Sequence, residues 1–155
     1  MWKDAYLEGR VMAATPLELV SILYEYALQA LADARWHLAA KDVASRAKAI
    51  NKAIAIISEL HGSLDHTAGG EISAQLASLY AYMKYRLTIA NLQQKAEPIE
   101  EVEKLMRTLA EAWQAISHPA EPTHAPVPDP FHSPTPNLAF LSQGEIQTSA
   151  RSWSA

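Results

Sequence analysis

Two pairs of residues have the spacing that places metal ligands one turn apart on a helix. Glu121 and His124 form a Glu-x-x-His, the spacing with which some helical bundles hold paired metal ions. This pair lies among prolines, where no helix can align the two side chains. His61 and Asp65 are four residues apart in a helical segment, but two ligands make a weak site, and a histidine near a helix C-terminus is the simpler interpretation. We therefore expect no metal and no cofactor.

The residue patterns of catalysis are also missing from the chain. It contains 0 cysteines, which excludes a disulfide framework, a thiolate zinc site and a cysteine nucleophile. There is no Gly-x-Gly-x-x-Gly and no phosphate-binding loop, so Gly69-Gly70 is interpreted as a helix break. No local signature of a Ser, His and Asp triad occurs either. We predict that the protein is not an enzyme.

Composition and charge restrict the classes of partner. Of 155 residues, 49% are hydrophobic, and the formal net charge is -4. The broad positive field that attracts nucleic acids is therefore missing, and we expect no nucleic-acid partner. Charged residues interrupt the N-terminus at Asp4 and Glu8, which argues against a secretory signal, and no apolar run reaches the roughly 18 residues of a membrane span. These features predict a cytoplasmic protein without membrane insertion.

The prolines divide the chain into a helical part and a tail. Seven of the 9 prolines lie between Pro119 and Pro136, whereas Pro16 and Pro98 stand where helices could begin. We predict an N-terminal cap segment over residues 1–14, a helical domain over residues 15–117 and a disordered Pro/Ser-rich tail over residues 118–155.

Four helices are predicted in the middle part. A capping box of Thr15 and Glu18 starts the first, and an apolar stripe follows it to about Lys41. Asp42 can cap the second, Glu71 opens the third after the two glycines, and the fourth begins around Glu97 with an acidic, proline-containing first turn. No strand pattern competes. The fold class predicted is all-α, an antiparallel up-and-down four-helix bundle.

The second and third predicted helices carry apolar residues around more of their circumference than one neighbour covers. Such a surplus indicates a partner groove or an oligomer interface. The alternative is that crowded helices bury all of it. Tyr80, Tyr82, Met83 and Tyr85 favour a contact surface, because tyrosine and methionine suit surfaces of mixed polarity.

A series of short motifs follows these helices in order. The N-terminal half contains Ala14-Thr15-Pro16-Leu17-Glu18-Leu19 and Leu23-Tyr24-Glu25. The most specific stretch is Gly69-Gly70-Glu71-Ile72, followed by Leu79-Tyr80-Ala81-Tyr82-Met83 and by Glu111-Ala112-Trp113. With these motifs, residues 4–117 resemble the flagellin-specific export chaperones of the FliS family. One departure is Tyr26, a bulky ring where the family usually has glycine.

The resemblance implies a function in flagellum assembly. Proteins similar to this one hold new flagellin in the cytoplasm by its disordered C-terminal segment and prevent premature polymerisation. They also aid delivery to the type III flagellar export apparatus. The implied partners are the flagellin C-terminal segment and, for the loaded chaperone, the export gate. We expect a monomer or a weak homodimer. The alternative is a structural or regulatory helical bundle that associates with itself through the same surface.

Our hypothesis places the flagellin-binding groove along the second and third predicted helices. The stripes do not separate core from groove positions, so the set is broad: Ile50, Ile54, Ile57, Leu64, Ile72, Leu76, Tyr80, Met83 and Leu87. The resemblance also suggests that the segment around Tyr6, Leu7 and Val11 covers apolar surface in the free protein. A frayed terminus is the alternative.

The tail falls outside the resemblance. Its composition favours an unstructured extension. Leu138-Ala139-Phe140-Leu141 is its one concentrated apolar cluster, and the alternative is that this cluster binds the bundle or another export component.

Overall fold

The computed structural model describes the backbone of residues 2–119 and the side chains of residues 4–119. This part of the chain forms five helices and no strand, so the predicted all-α class is confirmed. The helices are α1 (Trp2–Ala13), α2 (Pro16–Ala39), α3 (Val43–Gly62), α4 (His66–Gln93) and α5 (Glu97–Ser117). Residues 120–155 lie outside the described part. The predictions of a disordered tail and of a binding role for its apolar cluster concern these residues.

The helix starts follow the local sequence signals. The Glu18 amide donates to the Thr15 hydroxyl at 3.3 Å, and the Thr15 amide donates to the Glu18 carboxylate at 2.8 Å, which confirms the predicted capping box. The bond from the Thr15 backbone, followed by one from its hydroxyl, lowers the pKa of Glu18. Asp42 accepts from the Ser45 amide and caps α3, as predicted. The predicted start of α5 at Glu97 is also confirmed.

The start of α4 differs from the prediction by one additional turn. A single turn from His66, with Asp65 as its N-cap, precedes the predicted start. Gly70 has a φ of 49° and a ψ of -125°, which is not helical, so the predicted helix break is present and the body of α4 opens after it at Glu71. Only glycine adopts such a conformation without strain, because it has no Cβ. The two glycines therefore mark a break between this turn and the body of α4.

The four long helices surround one core. α2 packs against α3 and α5, and α4 packs against the same two helices. The contact of α2 with α3 is the most extensive, and small residues such as Ala27, Ala34 and Ala53, each 0% exposed, let these two helices approach closely. The largest fully buried side chains come from all four helices: Leu31, Ile50, Ile57, Leu60, Tyr80, Met83, Leu87, Ile99, Val102 and Met106. Burying each stabilises the fold by about 1.5–3 kcal/mol before entropy is counted.

Polar contacts fix α5 and α4 to their neighbours. Glu101 of α5 accepts from the Tyr82 hydroxyl at 2.5 Å and from the Arg86 guanidinium at 2.6 Å, both on α4. On the other side of α5, Arg35 of α2 bonds Glu103 at 2.8 Å. The bond from Tyr82, and then the bond from Arg86, lowers the pKa of Glu101. These contacts connect α5 to both α4 and α2.

A buried arginine joins the start of α3 to the end of α4. Arg46 is 3% exposed, and its guanidinium donates to the side-chain oxygen of Asn91 at 3.3 Å and to its carbonyl at 3.4 Å. A cation is favourable here because the last carbonyls of a helix carry partial negative charge. Arg46 therefore supplies both a hydrogen-bond partner and a counter-charge to the C-terminus of α4.

Candidate binding groove

An open groove of about 670 Å³ lies at one end of the four long helices. The start of α2, the end of α3, the start of α4 and the end of α5 all contribute to it. Its apolar and aromatic lining residues are Val20, Tyr24, Leu60, Leu64, Ala68, Leu76, Tyr80, Trp113 and Ile116, and Ser63, Asp65, Gly69 and Ser73 complete the lining. A concave apolar surface with a few polar groups is typical of a binding site.

Two tyrosines form a polar contact among the apolar lining. The hydroxyls of Tyr24 and Tyr80 lie 2.7 Å apart, and the residues are 5% and 2% exposed. Burial raises the pKa of Tyr24, and burial together with the hydrogen bond shared with Tyr24 raises the pKa of Tyr80 further. Both hydroxyls are therefore neutral near pH 7, and each satisfies the other.

The rim of the groove keeps large apolar side chains near solvent. Leu64, Leu76 and Val20 are half-buried, and Ile116 is 72% exposed. The indole nitrogen of Trp113 donates to the carbonyl of Leu17 at 3.3 Å, which ties α5 to the start of α2. An apolar segment seated here would cover side chains that the helices leave partly in water.

The structure separates the nine predicted groove residues into three groups. Ile50, Ile57, Tyr80, Met83 and Leu87 belong to the buried core, and Tyr80 also lines the groove. Ile54, Leu64 and Leu76 are half-buried, and the last two line the groove. Ile72 is 69% exposed and lies outside the groove lining.

Four lining residues come from helices that the sequence analysis left out of the groove. Val20 and Tyr24 belong to α2, and Trp113 and Ile116 belong to α5. Their types are apolar or aromatic, but only the packing of α2 against α5 brings them together.

The predicted cap residues lie on α1, which is a regular helix in the structure. Leu7 and Val11 line a second groove, of about 470 Å³, together with Met12, Tyr26 and Lys52. Tyr6 does not line it and is 64% exposed. Arg10 of α1 pairs with Glu25 of α2 at 3.5 Å. The bulky Tyr26 therefore lies beside α1.

Of the residues considered as metal ligands, His61 and Asp65 have other surroundings, and Glu121 and His124 lie outside the described residues. Asp65 accepts from the amides of Thr67 and Ala68, and His61 Nδ1 lies 3.5 Å from the Lys84 ammonium. Within residues 2–119 no group of three or more His, Cys, Asp or Glu side chains is arranged to hold a metal ion. The same residues form no helix long and apolar enough to cross a membrane.

The chain matches the family model described as "Flagellar protein FliS" over residues 2–120. It belongs to the FliS family. Three relatives, each named flagellar secretion chaperone FliS, are similar to this chain over most of their length. The Salmonella typhimurium protein is 46% identical over 112 residues, which are 72% of this chain and 83% of that protein. The Escherichia coli protein is 38% identical over 70% of this chain and 80% of its own length. The Bacillus subtilis protein is 32% identical over 77% and 90%.

Membership of the FliS family confirms the resemblance seen in the sequence. FliS proteins are secretion chaperones of the flagellum rather than enzymes, so the prediction of a non-enzyme agrees with the family. The matched region, residues 2–120, contains all five helices and the whole groove.

Proposed function

We propose that this protein is a cytoplasmic secretion chaperone that binds the disordered C-terminal segment of flagellin in the groove at the end of α2–α5. In this proposal it prevents premature polymerisation and aids delivery to the type III flagellar export apparatus. Relatives named flagellar secretion chaperone support the general role. The observation that carries the binding site is the apolar groove whose rim residues stand partly in water.

The proposed scaffold is an antiparallel up-and-down four-helix bundle made of α2–α5. Its support is that alternate helix ends, the starts of α2 and α4 and the ends of α3 and α5, line the same groove. In the proposed domain division, residues 1–14 are a cap segment, residues 15–117 the chaperone domain and residues 118–155 a tail. The export gate is the proposed partner of the loaded complex, and the free chain is a monomer or a weak homodimer.

The groove suits an amphipathic client segment. A helix laid into an apolar groove buries one face and leaves the other in water. Because a disordered client orders as it binds, about 2–5 kcal/mol of the contact energy is offset, which keeps release possible. Of the nine residues predicted from the sequence, we assign direct client contact to Leu64, Leu76 and Tyr80. Ile50, Ile57, Met83 and Leu87 support the groove from the core, and Ile54 and Ile72 are candidates for an extension of it.

The proposed cap is α1, whose Leu7 and Val11 line the second groove with Tyr26 of α2 and Lys52 of α3, and whose Tyr6 is exposed. In this role α1 shields apolar surface in the free chaperone and moves when flagellin arrives. Deletion of residues 1–14 is then expected to raise the binding of an apolar dye and to raise flagellin affinity. Unchanged dye binding together with unchanged affinity would remove the cap role.

Calorimetry with a peptide from the C-terminus of the same organism's flagellin tests the main proposal. Submicromolar one-to-one binding with a negative change in heat capacity is the expected result, because apolar burial produces that signature. No binding by a folded, monomeric sample would refute it. If the molecular mass of the protein rises with its concentration, and the same surface mediates this association, the self-associating bundle is favoured instead.

A pair of variants on one helix locates the site. Leu76→Asp places a charge on the groove wall, and we expect an affinity loss of about tenfold or more, because 1.4 kcal/mol corresponds to a factor of ten. Tyr85→Asp is the control, since Tyr85 lies on the same helix, is 61% exposed and does not line the groove. Ile57 and Met83 are unsuitable for this test, because both are 0% exposed and a charge there would disrupt the core.

A further inference from the structure

The first turn of α4 closes on itself. Asp65 accepts from the amides of Thr67 at 2.9 Å and Ala68 at 3.0 Å through its side chain, and from the amide of Gly69 at 2.8 Å through its carbonyl. These bonds lie within residues 65–69, so none of them ties the turn to the body of α4. His66, Thr67 and Ala68 are exposed, so moving them uncovers little apolar side chain.

One side chain fastens this turn to the body of α4. The hydroxyl of Ser73 donates to the carbonyl of Asp65 at 2.9 Å, and Ser73 is 5% exposed. A Cβ placed on Gly69 would lie 1.9 Å from the Ser73 hydroxyl oxygen. Position 69 must therefore be glycine for Ser73 to reach across.

Gly70 is needed for a different reason. Its φ of 49° turns the chain between the first turn and the helical body, and a Cβ there would meet no atom within 4 Å. Free space and a backbone that favours glycine together describe a pivot rather than a packed contact. The two adjacent glycines thus serve one close approach and one change of direction.

We propose that residues 65–69 form a flap, pivoting at Gly70, that regulates access to the end of the groove. Ala68 and Gly69 of the flap line the groove beside Ser73 and Leu76. When the flap detaches, Ser73 becomes exposed and the groove lengthens along α4. The regulatory consequence rests on the proposed binding function, whereas the opening itself is a property of the free protein.

Thiol labelling measures the opening directly, because the chain contains 0 cysteines. Ser73→Cys introduces one buried thiol under the flap, and Ala53→Cys introduces a reference thiol at a position in α3 that is 0% exposed. Under native conditions we expect the thiol at position 73 to react about a hundredfold faster, since local opening costs less than global unfolding. Equal rates would overturn the flap, because exposure would then require unfolding of the whole helical unit.

A second glycine provides the matched control for the pivot. In the Ser73→Cys background, Gly70→Ala is expected to speed labelling about tenfold, because alanine disfavours the closed backbone. Gly62→Ala is expected to leave the rate unchanged, since Gly62 ends α3 with no atom within 4 Å of an added Cβ. Labelling that Gly70→Ala does not accelerate would refute the pivot.

Amide exchange in the unmodified chain guards against an effect of the new thiol. The Gly69 amide is expected to exchange faster than the Met83 amide in the body of α4, and equal protection would again overturn the flap. These measurements contain no flagellin. A failure of flagellin to bind would therefore leave the flap standing, while normal binding with uniform labelling would refute the flap alone.

Discussion

The buried pair of tyrosines gives a quantitative test of how the groove end is held together. Tyr24→Phe or Tyr80→Phe removes one hydroxyl and leaves the other without its partner at a residue that is 5% or 2% exposed. An unsatisfied buried polar group costs about 1–3 kcal/mol. Replacing both tyrosines removes both polar groups and keeps the ring shapes, so the double variant should lose less than the two single variants together.

Urea unfolding followed by circular dichroism gives the free energy of unfolding for all four proteins of the cycle. We expect each single variant to lose about 1.5 kcal/mol and the double variant about 0–1 kcal/mol, which gives a coupling energy of about 2–3 kcal/mol. For a helical unit of this size, a loss of 1.5 kcal/mol lowers the melting temperature by roughly 6 °C. Additive losses would refute the reasoning, because they would mean that water in the groove, and not the partner hydroxyl, satisfies each tyrosine.

Four further predictions concern other parts of the chain. Gly9→Ala should raise the helicity of α1 and stabilise it by about 0.5–1 kcal/mol, because an added Cβ meets no atom within 4 Å; unchanged helicity by circular dichroism would contradict this. Thr15→Ala should cost about 1 kcal/mol in urea unfolding through loss of the capping box, and no loss would show the cap to be redundant. The lowered pKa of Glu101 contributes stability that is present above the unfolded pKa, about 4.3, and lost as the pH falls through the folded value. Melting temperatures measured from pH 6 to pH 3 should therefore fall less steeply for Glu101→Gln, and parallel curves would exclude the contribution. A chain ending at Pro119 should melt like the full chain, since every described core residue precedes that point, and a lower melting temperature would contradict this.

Helix starts were predictable because each is encoded by a few adjacent residues. Thr15 with Glu18 and Asp42 with Ser45 make their capping bonds within three residues, so no tertiary information is needed. The turn over residues 66–69 was missed because a glycine pair does not reveal whether a helical turn precedes it. The Asp65 cap and the Ser73 bond hold this turn, and the Ser73 bond depends on a close approach that spacing does not reveal.

Groove residues were harder to predict than core residues. An apolar stripe predicts that one face of a helix packs against other residues. The neighbouring helices determine how much of that face they bury. Met83 and Leu76 both lie on apolar positions of the same helix, yet Met83 is 0% exposed and Leu76 is half-buried beside the groove. Trp113 joins the groove through the packing of α5 against α2, a contact between residues almost a hundred positions apart.

The buried Arg46 makes one end of the α3 and α4 pair mechanically stronger than the other. It braces the start of α3 against the end of α4, at the opposite end of these helices from the groove. A pulling force on a segment seated in the groove would act first on the turn at residues 66–69, while the braced end keeps α3 and α4 in register. We therefore expect the groove end of α3 and α4 to open under load before the end held by Arg46 does.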